Sequence, residues 1–149
     1  MNSKLSYTFQ WLSQLEIPLA NKFYKINGFR RKARGSELCA VIRDETKTII
    51  AGAYIREYQT FKLLAGVAVS SAFQRQGIAS HLLQDMTCKL DQNTFTFPYQ
   101  HLTSLYRSVG FIPIRSEHSP PAVAELCRKY RNQGRNISIM VFGENSVSV

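Results

Sequence analysis

The sequence predicts a single α/β (α+β) domain over residues 1–149, with a mixed central β-sheet of about six to seven strands and flanking helices. Three observations lead to this class. A length of 149 residues suits one domain that buries its own core. A composition that is 44% hydrophobic and 19% charged is globular rather than disordered. Along the chain, segments in which apolar and polar residues alternate, as in strands, are interspersed with segments whose apolar residues have helical spacing.

In the first half of the chain, short strands surround one helix. Residues 7–11 alternate apolar and polar side chains, which predicts a strand. Residues 18–26 carry apolar side chains at helical spacing and predict a helix that ends near Gly28. Apolar runs predict three further strands, which start the sheet in antiparallel order, at 37–43, 48–55 and 61–69.

The second half combines a crossover helix with shorter elements. Apolar side chains recur at helical spacing from Gly77 to Leu90, so the strand before this segment and the strand after it are expected to form a βαβ crossover. The remaining predicted elements are a strand at 94–97, a helix at 102–109, an extended segment at 111–114, a helix from Pro120 and a final strand at 137–142.

Positive charge is concentrated in two stretches of the sequence. The chain has 19 Lys and Arg against 10 Asp and Glu, which gives a net charge of +9. The first stretch, which we name the basic segment, runs from Lys22 to Arg34 and contains no acid. The second lies between Arg128 and Arg135. Such charge favours an anionic partner, which is a nucleic acid, an anionic lipid or a small ligand with phosphates.

The cysteines indicate a reducing environment. Cys39, Cys88 and Cys127 are far apart and form no CxxC pair, so neither a disulfide framework nor a metal site is expected. Reduced thiols in a cytoplasmic protein are the simpler expectation. No apolar run reaches the roughly 18 residues of a membrane span, and the first residues do not resemble a signal peptide, so no membrane partner is expected.

A strand–turn–helix segment at residues 67–83 carries the most chemical information. Its strand ends near Val69, and its helix starts near Gly77. Backbone N–H groups at a helix N-terminus lack partners, and the helix dipole adds positive charge, so such a turn suits a diphosphate. Gly77 and Ala79 leave room for phosphate oxygens, and Arg75 adds a charge-assisted contact. The alternative is an ordinary connection that needs Gly77 only for a tight backbone.

Two motifs resemble those of the GCN5-related N-acetyltransferase (GNAT) superfamily. The first is a V-x-V strand end followed by [QR]-x-x-G-[IL]-[GA]-x-x-L-[LM], the acetyl-CoA motif. This chain matches it with Val67, Val69, Gln74, Gly77, Ile78, Ala79, Leu82 and Leu83. The second, L-Y-x-x-x-G-F after a strand, is matched by Leu105, Tyr106, Gly110 and Phe111. The order of strands and helices extends the resemblance over the whole chain.

The resemblance implies a single-domain GNAT-like fold in which the strand through Val69 and the next strand splay apart to admit the pantetheine arm of acetyl-CoA. Backbone groups of three residues then bond the pantetheine amides: Val67, Ala68 and Val69. The N–H groups of the turn wrap the diphosphate, namely those of Gln74, Arg75, Gln76, Gly77, Ile78, Ala79 and Ser80. The chain departs from many family members at Tyr99 and Leu102, where asparagine and alanine are common.

The same resemblance suggests Tyr106 as the acid that protonates the thiolate leaving group, whereas its spacing alone suits a core residue. The general base stays open. Glu57 and Tyr58 precede the cofactor strand, and His101 is of the residue type best suited to proton transfer near neutral pH. A chain of water molecules is a further alternative.

These observations predict an enzyme that moves the acetyl group of acetyl-CoA to a primary amine of a metabolite, a peptide N-terminus or a lysine. The basic segment is typical of a solvated charged face, and the alternative is a surface that favours an anionic acceptor. A non-catalytic acyl-CoA-binding module stays open, because the cofactor strand has no carboxylate. A nucleic-acid-binding domain would explain the charge but lacks a known motif, so nucleic acid is not an expected partner. A homodimer is compatible with the sequence.

Overall fold

The computed structural model describes residues 6–143. This part of the chain forms seven strands and four α-helices, with short 3-10 helices between some of them. The predicted class and order of elements are confirmed. The elements are β1 (Thr8–Trp11), α1 (Ile17–Ile26), β2 (Leu38–Arg43), β3 (Ile49–Glu57), β4 (Lys62–Val69), α2 (Ile78–Met86), β5 (Thr94–Thr96), α3 (Thr103–Ser108), β6 (Phe111–Pro113), α4 (Pro121–Asn132) and β7 (Met140–Phe142).

The strands form a mixed sheet in the order β1-β2-β3-β4-β5-β7-β6. Strands β1 and β2, and β2 and β3, pair antiparallel. Strands β4 and β5 pair parallel. Helix α2 connects them and carries the chain back to the end of the sheet at which β4 began, so β5 runs in the same direction. Strand β7 pairs antiparallel with both β5 and β6. The predicted antiparallel start and central crossover are therefore confirmed.

The chain divides into two compact units. The first unit contains the chain up to Arg56 together with Ala65–Met86, and the second contains Glu57–Leu64 together with the chain from Thr87 onward. Strand β4 contributes to both, since its first residues belong to the second unit and its last residues to the first. The single domain expected over residues 1–149 stays a prediction.

The core of the first unit lies against α1. Ala20, Phe23 and Tyr24 recur on one face of this helix and are buried, in the same cluster as Cys39 of β2. Burial, together with the nearby Glu37 carboxylate, raises the pKa of the Cys39 thiol to about 12, so this thiol is protonated at neutral pH.

The core of the second unit is built from aromatic side chains and one face of α4. Phe61 and Phe95 meet edge to face with ring centroids 6.1 Å apart, and Val123 and Cys127 of α4 are buried. None of the helices in the described part of the chain has the length and apolar character that crossing a membrane requires.

Two element boundaries predicted from the sequence are wrong. Helix α2 ends at Met86 and a 3-10 turn over Thr87–Lys89 replaces the predicted continuation to Leu90. Strand β7 starts at Met140 and not at 137. Ile137 instead makes an isolated bridge with Tyr99, which holds this stretch outside the β7 ladders.

Candidate functional site

The second half of β4 has one edge directed away from β3. The N–H of Ser70, just after the strand, donates to the Ile50 carbonyl of β3 at 2.8 Å. Successive N–H groups of a strand point to opposite sides, so those of Val67 and Val69 point away from β3. The parallel ladder from β4 to β5 ends at Leu64. The N–H groups of Val67 and Val69 therefore take no part in it and, within the described residues, form a free edge.

A glycine with left-handed backbone lies just before this edge. Gly66 has a φ of +68°, which L side chains rarely adopt. A Cβ atom on Gly66 would lie 2.3 Å from Cε2 of Tyr54. Only glycine fits both the backbone and the space. This residue was missed in the sequence analysis, although a lone glycine inside a strand pattern is a signal for a bulge or a close approach.

We expect Gly66→Ala to lower the free energy of unfolding by at least about 2 kcal/mol, because it adds a steric overlap to an unfavourable φ. Urea denaturation followed by circular dichroism measures this change. Gly35→Ala is the matched control, since a Cβ atom there meets nothing within 4 Å, and we expect a change within about 0.5 kcal/mol. Equal stability of the Gly66 variant and the wild type would show that the strand relaxes freely at this point.

The turn between β4 and α2 is held by its own glutamines. The Gln74 side-chain amide donates to the Val69 carbonyl at 3.0 Å and so ties the turn to the strand end. The Gln76 side-chain oxygen accepts a hydrogen bond from the Tyr7 hydroxyl at 2.9 Å. Tyr7 is a further residue that the sequence analysis did not assign to the site, because nothing in its spacing indicated this contact.

Two left-handed residues shape the backbone of the turn. Arg75 has a φ of +66° and Gly77 a φ of +79°. Alternation of left-handed with ordinary residues turns successive N–H groups toward one side, which is the geometry of backbone anion sites. Both residues are exposed, and a Cβ atom on Gly77 would meet nothing within 4 Å. The space beside Gly77 is therefore open to a ligand.

The N–H groups of this turn have no partner in the described part of the protein. No backbone or side-chain group of residues 6–143 accepts a hydrogen bond from the N–H groups of Arg75 through Ser80. The first bond of α2 runs from the His81 N–H to the Gly77 carbonyl at 3.0 Å. The helix dipole adds positive charge at the same point, and the sequence has no acid between Glu57 and Asp85. The arrangement fits a diphosphate.

The structure brings all ten predicted cofactor residues into one continuous strand, turn and helix start of the first unit. Val67, Val69, Ala79 and Ser80 are half-buried, and Ala68 and Ile78 are buried; Gln74, Arg75, Gln76 and Gly77 are exposed. A ligand site at the surface needs an exposed turn that buried strand and helix residues hold in place, and this segment has that pattern.

The three candidate catalytic residues all lie in the second unit. Tyr106 is on α3 with only 6% of its surface exposed, and its ring meets Phe111 edge to face at 5.8 Å. His101 is exposed in a 3-10 helix, with its ring 6.3 Å from that of Tyr99. Glu57 is exposed at the end of β3. Among the described residues, no hydrogen bond or ion pair joins Glu57 to His101.

The second unit also contains a cavity of about 780 Å³ between the turn after β3 and helix α4. Its apolar lining includes Tyr58, Phe61 and Leu126. Neither Tyr106, His101 nor Glu57 lines this cavity, so it supports no catalytic role for them. No group of three or more metal-ligand side chains gathers anywhere between residues 6 and 143.

Comparison with protein families gives one match. The model of the acetyltransferase (GNAT) domain matches residues 35–113, a range that includes β4, the turn, α2 and Tyr106. That range is more than half of the chain. None of the curated proteins compared with the sequence matches it.

Solved structures share the fold at low sequence identity. N-acetylglutamate synthase from Neisseria gonorrhoeae, solved with coenzyme A and N-acetyl-glutamate, has a TM-score of 0.65 and 18% identity over 94% of this chain. This chain spans only 35% of the synthase. The ribosomal-protein-S18-alanine N-acetyltransferase from Escherichia coli has a TM-score of 0.58 and 20% identity over 96% of this chain and 100% of its own. The likeness at such identities concerns the fold.

A third structure with the same fold was solved with coenzyme A. It is the GNAT family N-acetyltransferase YhbS from Escherichia coli, with a TM-score of 0.61 and 15% identity over 95% of this chain and 83% of its own.

Proposed function

The chain belongs to the GNAT acetyltransferase family, and on this premise we propose that it transfers the acetyl group of acetyl-CoA to a primary amine by direct attack. The observation that supports this most is the run of N–H groups from Arg75 to Ser80 at the start of α2, which have no hydrogen-bond partner among residues 6–143. They offer the diphosphate of coenzyme A several donors in fixed positions. Arg75 adds a charge-assisted contact.

The free edge of β4 supports the rest of the binding site. The N–H groups of Val67 and Val69 are oriented to bond the amides of the pantetheine arm as another strand would. A substrate held by both the turn and the edge has its thioester in one position, which supplies the alignment that acyl transfer needs.

In the proposed reaction, the neutral amine attacks the thioester carbonyl carbon. A C–N bond forms and the C–S bond breaks, so the amine nitrogen loses a proton and the sulfur leaves as a thiolate. Tyr106 donates the proton that the thiolate takes up, and packing against Phe111 fixes the direction of its ring. The base that receives the amine proton is Glu57, His101 or a water chain.

The basic segment supports an anionic acceptor. Lys22 and Lys25 are exposed on α1, beside the exposed apolar side chain of Ile26. Glu37, the first acid after the segment, is buried and bound to Arg56, so it does not neutralise these lysines. An acceptor with both acidic and apolar groups complements this surface.

The acceptor proposal is tested with two peptides that share a free N-terminal amine, one acidic and one neutral in composition. We expect a higher kcat/KM for the acidic peptide, and Lys22→Glu/Lys25→Glu to lower it about tenfold. Lys89→Glu/Lys129→Glu changes the net charge equally and is the matched control, expected to have little effect. The same kcat/KM for both peptides, unchanged in the Lys22/Lys25 variant, would contradict an anionic acceptor.

A non-catalytic acyl-CoA-binding module is the second candidate. Strand β4 carries no carboxylate, and Glu57 and His101 are both exposed without a mutual contact. Release of free thiol from acetyl-CoA with a panel of amines separates the two functions. The enzyme releases thiol, whereas the module shows a higher Tm with acetyl-CoA and no amine-dependent thiol release.

The three free cysteines support the proposed cytoplasmic location, since reduced thiols are typical of that compartment.

A further inference from the structure

A buried tyrosine hydroxyl holds the backbone of β4. Tyr24, on α1, has no exposed surface, and its hydroxyl donates to the Gly66 carbonyl at 2.7 Å. The two residues are 42 positions apart in the sequence, so this bond ties a helix to the middle of a distant strand. Burial raises the pKa of the Tyr24 hydroxyl well above its usual value, so the hydroxyl keeps its proton and stays a donor.

The rings of Tyr24 and Tyr54 pack closely against the backbone of β3 and β4 at this point, and Gly66 makes room for the Tyr54 ring. A Cβ atom on Gly52 of β3 would lie 3.5 Å from the Tyr24 hydroxyl oxygen. The Tyr54 ring covers Gly66, where a Cβ atom would overlap it. The two rings meet edge to face with centroids 6.1 Å apart. The hydroxyl of Tyr24 is thus directed at one carbonyl by packing on both sides.

The backbone at Gly66 needs such a support. Glycine adopts positive and negative φ about equally readily, so nothing in Gly66 itself selects +68°. A bond to its buried carbonyl does select this conformation, because every other rotation would leave the carbonyl without its donor. The same peptide leads directly into Val67 and Val69, whose N–H groups form the free edge.

We propose that Tyr24 is a positioning residue for coenzyme A: by bonding the Gly66 carbonyl it fixes the left-handed backbone of β4 at Gly66, from which the free edge continues toward the pantetheine arm. This inference rests on the proposed function. Tyr24 acts only through Gly66 and belongs to the core, so it is not a catalytic residue. Neither the match to the GNAT motifs nor the spacing of the sequence assigns it a role.

Tyr24→Phe tests the proposal, since it removes the hydroxyl and keeps the ring. Two probes are titrated by calorimetry: coenzyme A, and 3′-phospho-ADP, which is coenzyme A without its pantetheine arm. We expect the Kd for coenzyme A to rise about five- to tenfold, as the loss of one buried hydrogen bond allows. The Kd for 3′-phospho-ADP should stay within about twofold, because the turn holds this probe without the β4 edge.

Tyr54→Phe is the matched control. It removes the Tyr54 hydroxyl and keeps the ring over Gly66, so the Kd for coenzyme A should match that of the wild type. An unchanged Kd for coenzyme A in Tyr24→Phe would overturn the positioning role. Equal weakening of both probes would overturn it too, since it would indicate general loosening. Wild-type protein that does not bind coenzyme A at all would overturn the proposed function first, and this inference with it.

Discussion

Replacing Gly77 by leucine is expected to weaken coenzyme A binding at least about a hundredfold while the protein stays folded. The leucine side chain would occupy the open space beside the turn, where the diphosphate is proposed to lie. Two charge-assisted hydrogen bonds lost from the turn are enough for this factor. The measurement is calorimetric titration of the variant with coenzyme A, together with a thermal melt.

Gly28→Leu is the matched control for this prediction. Gly28 has a φ of +76°, close to the +79° of Gly77, and a Cβ atom there also meets nothing within 4 Å. Both variants therefore carry the same backbone strain, of about 1–2 kcal/mol. We expect the Gly28 variant to bind coenzyme A like the wild type. Its Tm should fall by about as much as that of Gly77→Leu. Unchanged coenzyme A binding by Gly77→Leu would show that the turn does not bind the diphosphate.

Tyr106→Phe is expected to lower kcat about a hundredfold and to leave the Kd for coenzyme A within about twofold. A general acid contributes a factor of this size, and it acts on the leaving thiolate rather than on the bound cofactor. The phenylalanine ring keeps the edge-to-face packing against Phe111, so the variant should stay folded. Steady-state kinetics with the best amine found in the thiol-release assay gives kcat.

The control for Tyr106 is Tyr130→Phe, a partly buried tyrosine of the same unit that packs against Phe97. Its kcat should match that of the wild type. If Tyr106→Phe retains full kcat, Tyr106 is a core residue only, and the proton on sulfur comes from water.

The local patterns of the sequence predicted most of the fold because they follow from burial. Residues 61–69 are mostly apolar, and the structure places β4 at Lys62–Val69. The helix predicted from Gly77 begins at Ile78, where an apolar face with Leu82 and Leu83 is buried. The start of β7 was wrong because Ile137 has the strand pattern but is held by a bridge to Tyr99. Such a long-range contact leaves no trace in local periodicity.

The turn that we propose for the cofactor was predictable for a different reason. A strand end, a glycine and a helix start are all local features, and together they specify where N–H groups stay unpartnered. The hydrogen bond from Tyr24 that supports β4 was not predictable in this way. Tyr24 has the helical spacing of an ordinary core residue, and only its distance to the Gly66 carbonyl reveals its bond. The positions of the catalytic candidates depend on tertiary structure in the same manner.

Titration of the isotope-labelled protein with coenzyme A, followed residue by residue through the backbone amide signals, tests the central claim most directly. We expect the largest shifts on Arg75 through Ser80 and smaller ones on Val67 and Val69. Saturable binding that leaves the amide signals of Arg75 through Ser80 unmoved would contradict it.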